Sequence, residues 1–254
     1  MSKNIEHYLK KHYSFQHGCF FTTFYKNNHT IYTYSDLIEH FIWNHSFTYS
    51  PEERMKESYI DEVVSFYISR KRRPCIYLNA ADKTFSYDAD LLISKGFQCL
   101  DNEAWMLYQL TNAIDIDSSL EMKIVDSDKQ LIGFTSVCSK CFEDEYSKCI
   151  RREYGISYFD KSIRHFNFYA NNELIGGGSI YFDSETAIIH NVGVLKRFRR
   201  NGYGTAIVKS LLKYTMTVLK IKEVLLQCDG GGYIERMYNN IGFKNIYRRF
   251  GYVL

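Results

Sequence analysis

The chain has 254 residues, 45% hydrophobic and 24% charged, with 22 tyrosines, 18 phenylalanines and two prolines. That is enough apolar sequence for two ordinary domains or one large one, and it excludes an intrinsically disordered chain. A net charge of +3 is too small to argue for a nucleic-acid partner, and no apolar run has the length of a membrane span or the form of a signal peptide, so a cytosolic protein without membrane association is expected.

The seven cysteines follow no framework spacing, in keeping with a reducing compartment. Cys138 and Cys141 form a lone CxxC in a helical-looking run. Without a second pair they read as buried or half-buried thiols, and no metal site is expected.

In chain order, Gly18–Tyr25 and Thr30–Tyr34 are β-rich runs around Lys26–His29 and read as a hairpin. Asp36–Trp43 fits a short helix. Ser50 suits an N-cap and Pro51 a first turn, so a helix is expected from Pro51 to about Arg70, stopping before Pro74. Then come a strand at Cys75–Leu78, a helix at Tyr87–Lys95, the pair Gly96-Phe97, and a strand at Glu103–Leu110. Thr111–Leu120 is short, polar and acidic and reads as a linker.

After the linker a strand at Glu121–Val125 is expected, then one or two helices over Asp128–Tyr154, and a hairpin of Arg164–Tyr169 and Ile175–Phe182 around Ala170–Glu173. Gly176, Gly177 and Gly178 lie within its second strand, either as a bulge or as a place where a ligand comes close. The order continues with a strand at Ala187–Val194, a helix from Tyr203 to about Lys220, a strand at Glu223–Gln227, a helix at Tyr233–Ile241, the pair Gly242-Phe243, and a strand at Asn245–Tyr252. The order strand, helix, Gly-Phe, strand thus occurs twice.

The most chemically specific stretch joins the strand at Ala187–Val194 to the helix at Tyr203. Four of the five residues Lys196–Arg200 are basic, and Gly202 and Gly204 flank Tyr203 at the helix start. Glycine permits positive φ and a close approach to the main chain. The first helical turn offers N–H groups without intrahelical acceptors and the positive end of the helix dipole. A pyrophosphate suits such a place. A Walker-type P-loop is excluded, since no Lys-Ser or Lys-Thr follows the glycines, and a GxGxxG fingerprint fails at Ile207.

Arg199-x-x-Gly202-x-Gly204 resembles the acyl-CoA pyrophosphate loop of the GNAT superfamily of N-acetyltransferases. Tyr238-Asn-Asn-Ile-Gly242-Phe243 resembles that family's Tyr-x-x-x-Gly-Phe, at the expected distance and with one helix and one strand between the two motifs. The resemblance implies an α+β, three-layer fold with a mixed, mostly antiparallel central sheet flanked by helices. It divides the chain into residues 116–254, the catalytic domain, and residues 1–115, a degenerate GNAT-like unit. The latter lacks the loop and carries Leu92 where the former has Tyr238.

It further implies acetyl-CoA as donor, a primary amine of a small molecule or peptide as acceptor, direct attack, and a monomer or homodimer. The donor would be held by Val192, Gly193 and Val194 and by Arg199, Arg200, Asn201, Gly202, Tyr203, Gly204 and Thr205. Tyr238 is the candidate acid, with simple packing on the cofactor as the alternative. His190 is the candidate base, and a core histidine is the alternative. Strand alternation puts His190 on the face of Val192 and Val194 unless a bulge intervenes, and an ordinary imidazole pKa near 6.5 would suit it. Asp229, Glu153 and Glu185 are lesser candidates.

Two departures stand out. Gly231 and Ile234 occupy places where relatives often have Asn and Ala, which removes one side-chain contact to the donor, and Lys196 replaces a frequent proline. A non-catalytic acyl-CoA-binding regulatory module is the alternative function.

Overall fold

A computed structural model describes residues 3–27, 29–49, 53–109, 120–142, 144–160 and 162–254. In chain order the elements are α1 (Lys3–Gln16), β1 (Thr22–Tyr25), β2 (Thr30–Tyr34), β3 (Ser46–Thr48), α2 (Glu57–Ile68), β4 (Cys75–Asn79), α3 (Phe85–Ser94), β5 (Gln98–Gln109) and β6 (Glu121–Ile124). There follow α4 (Asp128–Cys141), α5 (Asp144–Asp160), β7 (Ile163–Ala170), β8 (Glu173–Phe182), β9 (Thr186–Val194), α6 (Tyr203–Thr217), β10 (Glu223–Asp229), α7 (Tyr233–Ile241) and β11 (Lys244–Val253). The chain is α+β, as the sequence implied.

Two compact units result, and neither is a continuous stretch. The first comprises Met1–Trp105, Cys228–Gly232 and Asn245–Leu254; the second comprises Met106–Gln227 and Tyr233–Lys244. A linear division near residue 115 therefore differs from the division by compactness, because the last strand of the chain is built into the first unit. There the strand order is β1-β2-β3-β4-β11-β5. β11 pairs antiparallel with β4, from Arg249 opposite Asn79 to Val253 opposite Cys75. The core of this unit gathers Ile60, Val63 and Tyr67 of α2 with Ile76, Leu78, Leu92, Phe97 and Tyr252.

In the second unit the order is β10-β9-β8-β7-β6. β6 to β9 are antiparallel neighbours, and β10 joins β9 in parallel. The β7–β8 hairpin turns on Asn171 and Asn172, both at positive φ. That is the turn whose twist matches paired strands, and asparagine tolerates it better than most residues do.

The glycines of β8 explain how the layers close. A Cβ on Gly177 would lie 2.7 Å from Phe134 of α4, and one on Gly178 would lie 2.7 Å from Leu211 of α6. Helices thus cover both faces at van der Waals distance. The close approach at these glycines is made by the protein's own helices, together with the Gly193 carbonyl beside Gly176.

The internal repeat extends to hydrogen bonds. The Phe97 amide donates to the Leu92 carbonyl and the Phe243 amide to the Tyr238 carbonyl, each at 3.1 Å. Gly96 and Gly242 both have positive φ, as a left-handed helix C-cap requires. Leu92 thus occupies the place of Tyr238 in the first unit.

Several boundaries differ from expectation. Asp36–Trp43 contains only a 3₁₀ turn at Phe41–Trp43, since the Asn44 side chain, bonded to the Ser35 amide and the Ile38 and His40 carbonyls, organises the loop instead. The expected cap at Ser50 and Pro51 lies outside the described residues, and α2 begins at Glu57. β5 starts five residues before Glu103, and α5 continues past Tyr154. Of the expected linker Thr111–Leu120, residues 111–119 lie outside the described residues.

Candidate active site

The second unit brings the two sequence motifs together. Ala187, Ile188 and Ile189 are buried, and β9 pairs with β10 from Thr186–Glu223 to Ile189–Leu226. Beyond these positions β9 continues to Val194 and β10 to Asp229. The parallel ladder therefore ends midway, where two strands can diverge and turn main-chain groups toward a ligand.

A bulge sits at the same level. The β8–β9 register places Gly177 opposite Gly193 and Ser179 opposite His190, so β9 spends one residue more than β8. Asn191 absorbs it at φ 55. The alternation expected for His190, Val192 and Val194 is thereby overturned. His190 shares the face of Ser179, which is directed at α4 and α5, while Val192 lies 3.7 Å from the Cβ position of Gly178 on the α6 face. Val194 pairs with Gly176, on the α6 face as well, and Gly193 faces Cys141 and Val137 of α4. A bulge reverses the inward and outward sense of every following residue.

The basic turn follows directly. Lys196–Phe198 form one 3₁₀ turn, Arg200 adopts φ 66, and Gly202 is the α6 N-cap at φ 78 without a side-chain cap. A Cβ on Gly202 would meet nothing within 4 Å. The glycine is needed for its backbone conformation and for the open approach it leaves. The amides of Tyr203, Gly204 and Thr205 begin the helix, and the Ala206 amide closes the first turn on the Gly202 carbonyl at 3.1 Å. With Arg200 and Asn201 exposed beside it, this end of α6 suits an anion.

Arg199 bends backward. Its Nε donates to the Val194 carbonyl at 2.8 Å, and its guanidinium reaches the Cys141 thiol, whose pKa burial raises and Arg199 holds down. This side chain braces the turn against β9. The Asn201 amide donates to the Phe198 and Arg199 carbonyls at 3.3 Å.

Tyr238 is buried on α7, its ring edge-on to Phe243 at 5.9 Å. The neighbouring Met237 lies 3.6 Å from the Cβ position of Gly204. α7 therefore lies against the first turn of α6, beside the anion-binding end. His190 stands edge-on to Tyr181 at 4.9 Å. It is partly exposed by surface but crowded by protein, and that desolvation lowers its pKa to about 4, away from the ordinary value expected. It is neutral at pH 7.

The lesser candidates separate. Glu185 is exposed in the turn that opens β9, and Asp229 is exposed and belongs to the first unit. Glu153 is wholly buried beneath β7 and β8, where burial pushes its carboxyl up to about 8 against a weaker pull from Tyr181. Around it stand residues that sequence reasoning missed: His165 of β7, Ser179 and Tyr181 of β8 and Asn191 of β9. The available signal was the polar residues His165, within the aromatic-rich β7, and Ser179, between the glycines and the apolar end of β8.

The sequence profile of the acetyltransferase (GNAT) family matches residues 131–252. No curated protein matches the chain at a significant level. Among solved structures, a functionally unknown conserved protein from Staphylococcus epidermidis is 14% identical with a TM-score of 0.70, over 92% of this chain and 94% of that one. A GCN5-related N-acetyltransferase from Sphaerobacter thermophilus is 10% identical with a TM-score of 0.66, over 96% of this chain and 84% of that one. A tandem GNAT protein from the clavulanic acid biosynthesis pathway is 10% identical with a TM-score of 0.62, over 89% and 78%. These likenesses show the fold, and the profile match supports acyl transfer as the general chemistry. No described helix is long and apolar enough to cross a membrane. Residues 131–252 are a domain of the GNAT acetyltransferase family, and the N-terminal half of the chain is GNAT-like in fold.

Proposed function

We propose that this protein is an acetyl-CoA-dependent N-acetyltransferase acting on a primary amine of a small molecule or peptide by direct attack. The observation that carries the reading is the coincidence of three features in one unit: the end of the β9–β10 ladder, the uncapped glycine start of α6, and α7 with Tyr238 against that start. Acetyl-CoA, when bound, supplies an acetyl group activated as a thioester.

The chain's own residues divide the remaining work. The amides of Gly202–Thr205 hold the pyrophosphate, with Arg200 and Asn201 beside them. The main chain of Val192–Val194 binds the pantetheine arm and polarises the acetyl carbonyl. Tyr238 would stand as the proton donor for the thiolate that leaves when acetyl-CoA is bound. His190, unprotonated at neutral pH, has the form that a base requires, although its lowered pKa makes it a weak one.

Calorimetry with acetyl-CoA tests the donor. Gly202→Glu sets a carboxylate among the phosphate-binding amides and forces a side chain onto positive φ, and affinity should drop by about 100-fold or more. A wild-type protein that binds no acetyl-CoA would overturn the proposal. With an amine acceptor found by thiol release, Tyr238→Phe should lower kcat by about 100-fold while acetyl-CoA affinity stays within about twofold. An unchanged kcat would return Tyr238 to packing.

A further inference from the structure

Behind the β9 bulge lies a group of buried polar side chains that the mechanism above does not use. The Asn191 side-chain amide donates to the Ser179 hydroxyl at 3.1 Å and to the Tyr181 hydroxyl at 3.2 Å. Ser179 Oγ lies 2.7 Å from His165 Nδ1, and His165 Nε2 lies 3.5 Å from Glu153 Oε2. His165 also stacks on Phe134 of α4 at 4.9 Å. Glu153, Ser179 and Tyr181 have no exposed surface and His165 retains 2%. Four elements, α5, β7, β8 and β9, each contribute to the cluster.

The two hydrogen bonds from Asn191 have a fixed direction. An amide NH₂ can only donate, so both hydroxyls accept from Asn191 and are left to donate elsewhere. Ser179 also shares a hydrogen bond with His165 Nδ1, whose direction follows the imidazole tautomer. The Tyr181 hydroxyl lies close enough to Glu153 to hold its carboxyl down a little against the stronger upward push of burial. Both hydroxyls bonded by Asn191 are thus packed beside the buried pair of His165 and Glu153.

The backbone at Asn191 is the point under load. Its φ of 55 lies in the left-handed region, which asparagine tolerates better than most residues but which still costs more than extended backbone, and such a conformation is favoured when its surroundings support it. We propose that Ser179, Tyr181, His165 and Glu153 are positioning residues that hold Asn191 in this conformation, so that the β9 bulge presents the main chain of Val192–Val194 to the donor's acetyl carbonyl. The functional half of this inference rests on the acetyltransferase reading; the structural half does not.

The test separates the two. Amide hydrogen exchange is followed at residues 191–193 in the full-length wild type, in Ser179→Ala, in Tyr181→Phe and in the double variant, with amides of the β6–β7 pair as an internal reference for global stability. Loss of both hydrogen bonds should speed exchange at 191–193 by about tenfold or more while the reference amides change little. Equal exchange in all four proteins overturns the inference, whether or not the protein proves to be an acetyltransferase.

Where wild-type turnover is measurable, the double variant should lose about tenfold or more in kcat/KM for acetyl-CoA. Adding Asn191→Gly to the double variant should recover most of that loss, because glycine adopts positive φ without side-chain support. A loss that glycine does not recover would overturn the role assigned to the backbone at 191. Absence of acetyl-CoA binding in the wild type would count against the acetyltransferase reading alone and leaves the exchange measurement to decide the structural half.

Discussion

Arg249→Leu should destabilise the protein by about 3–5 kcal/mol, the usual cost of breaking a buried ion pair by removing one partner. Arg249 and Glu103 retain 1% and 3% of their surface. The Arg249 Nε donates to Glu103 Oε2, and its Nη1 donates to the Tyr13 hydroxyl. Trp105 adds a hydrogen bond to the same carboxylate oxygen at 3.1 Å, and the guanidinium lies 4.2 Å above the Tyr77 ring. Removing the cation leaves Glu103 buried without compensation.

The double variant Arg249→Leu with Glu103→Leu removes the stranded charge and should regain a large part of the loss. Urea unfolding of the three proteins provides the check. A single-variant loss under about 1 kcal/mol, or a double variant no better than the single, would deny the pair this role. The pair matters because Arg249 belongs to β11, the last strand of the chain, which pairs with β4 within the first unit. A guanidinium that finds Glu103 and Tyr13 in one register finds neither after a one-residue slip, which would turn it to the other face.

The second large effect is a loss of stability on the alkaline side. Glu153 has its carboxyl pushed up to about 8 from 4.5 by burial. An acid raised in this way favours the fold in full below its unfolded value, and the benefit is lost as pH rises through the folded value. Over the whole shift that amounts to about 5 kcal/mol at 1.36 kcal/mol per unit.

The buried histidines act in the opposite sense. Desolvation holds His45 well below its ordinary value, His165 at about 3 and His190 at about 4. They penalise the fold in acid, and the penalty fades as pH approaches 6.5. From about pH 6.5 to pH 8 the Glu153 contribution therefore stands apart from theirs, and it should lower stability by about 2 kcal/mol. The titratable neighbours facing Glu153 are His165 and Tyr181, with the Cys138 thiol, raised by burial, across from it on α4. Glu153→Gln keeps the shape and cannot ionise, so its unfolding free energy at pH 8.5 should exceed that of the wild type. Parallel pH profiles for the two proteins would refute the assignment.

What the sequence determined by itself was local. Gly202 and Gly204 before an apolar-periodic run, the Tyr238-x-x-x-Gly-Phe motif and each Gly-Phe pair are contiguous short stretches, and each depends on short-range causes: φ preference, helix periodicity and unsatisfied amides at a helix end. For that reason the helix start at Tyr203, the strand at β9 and the equivalence of Leu92 with Tyr238 were legible before any coordinates. The tertiary structure alone decided what depends on register between distant segments. The extra residue at Asn191 is visible only against β8, and it moved His190 to the face opposite Val192 and Val194. The placement of β11 in the first unit depends on pairing with β4, some 170 residues earlier in the chain. In the sequence Glu153 was only a lesser candidate for the base, one acid among several in a helical run. It became a wholly buried carboxyl group with a raised pKa because α5 packs it beneath β7 and β8 beside His165, and side-chain chemistry of that kind is created by packing rather than by any motif.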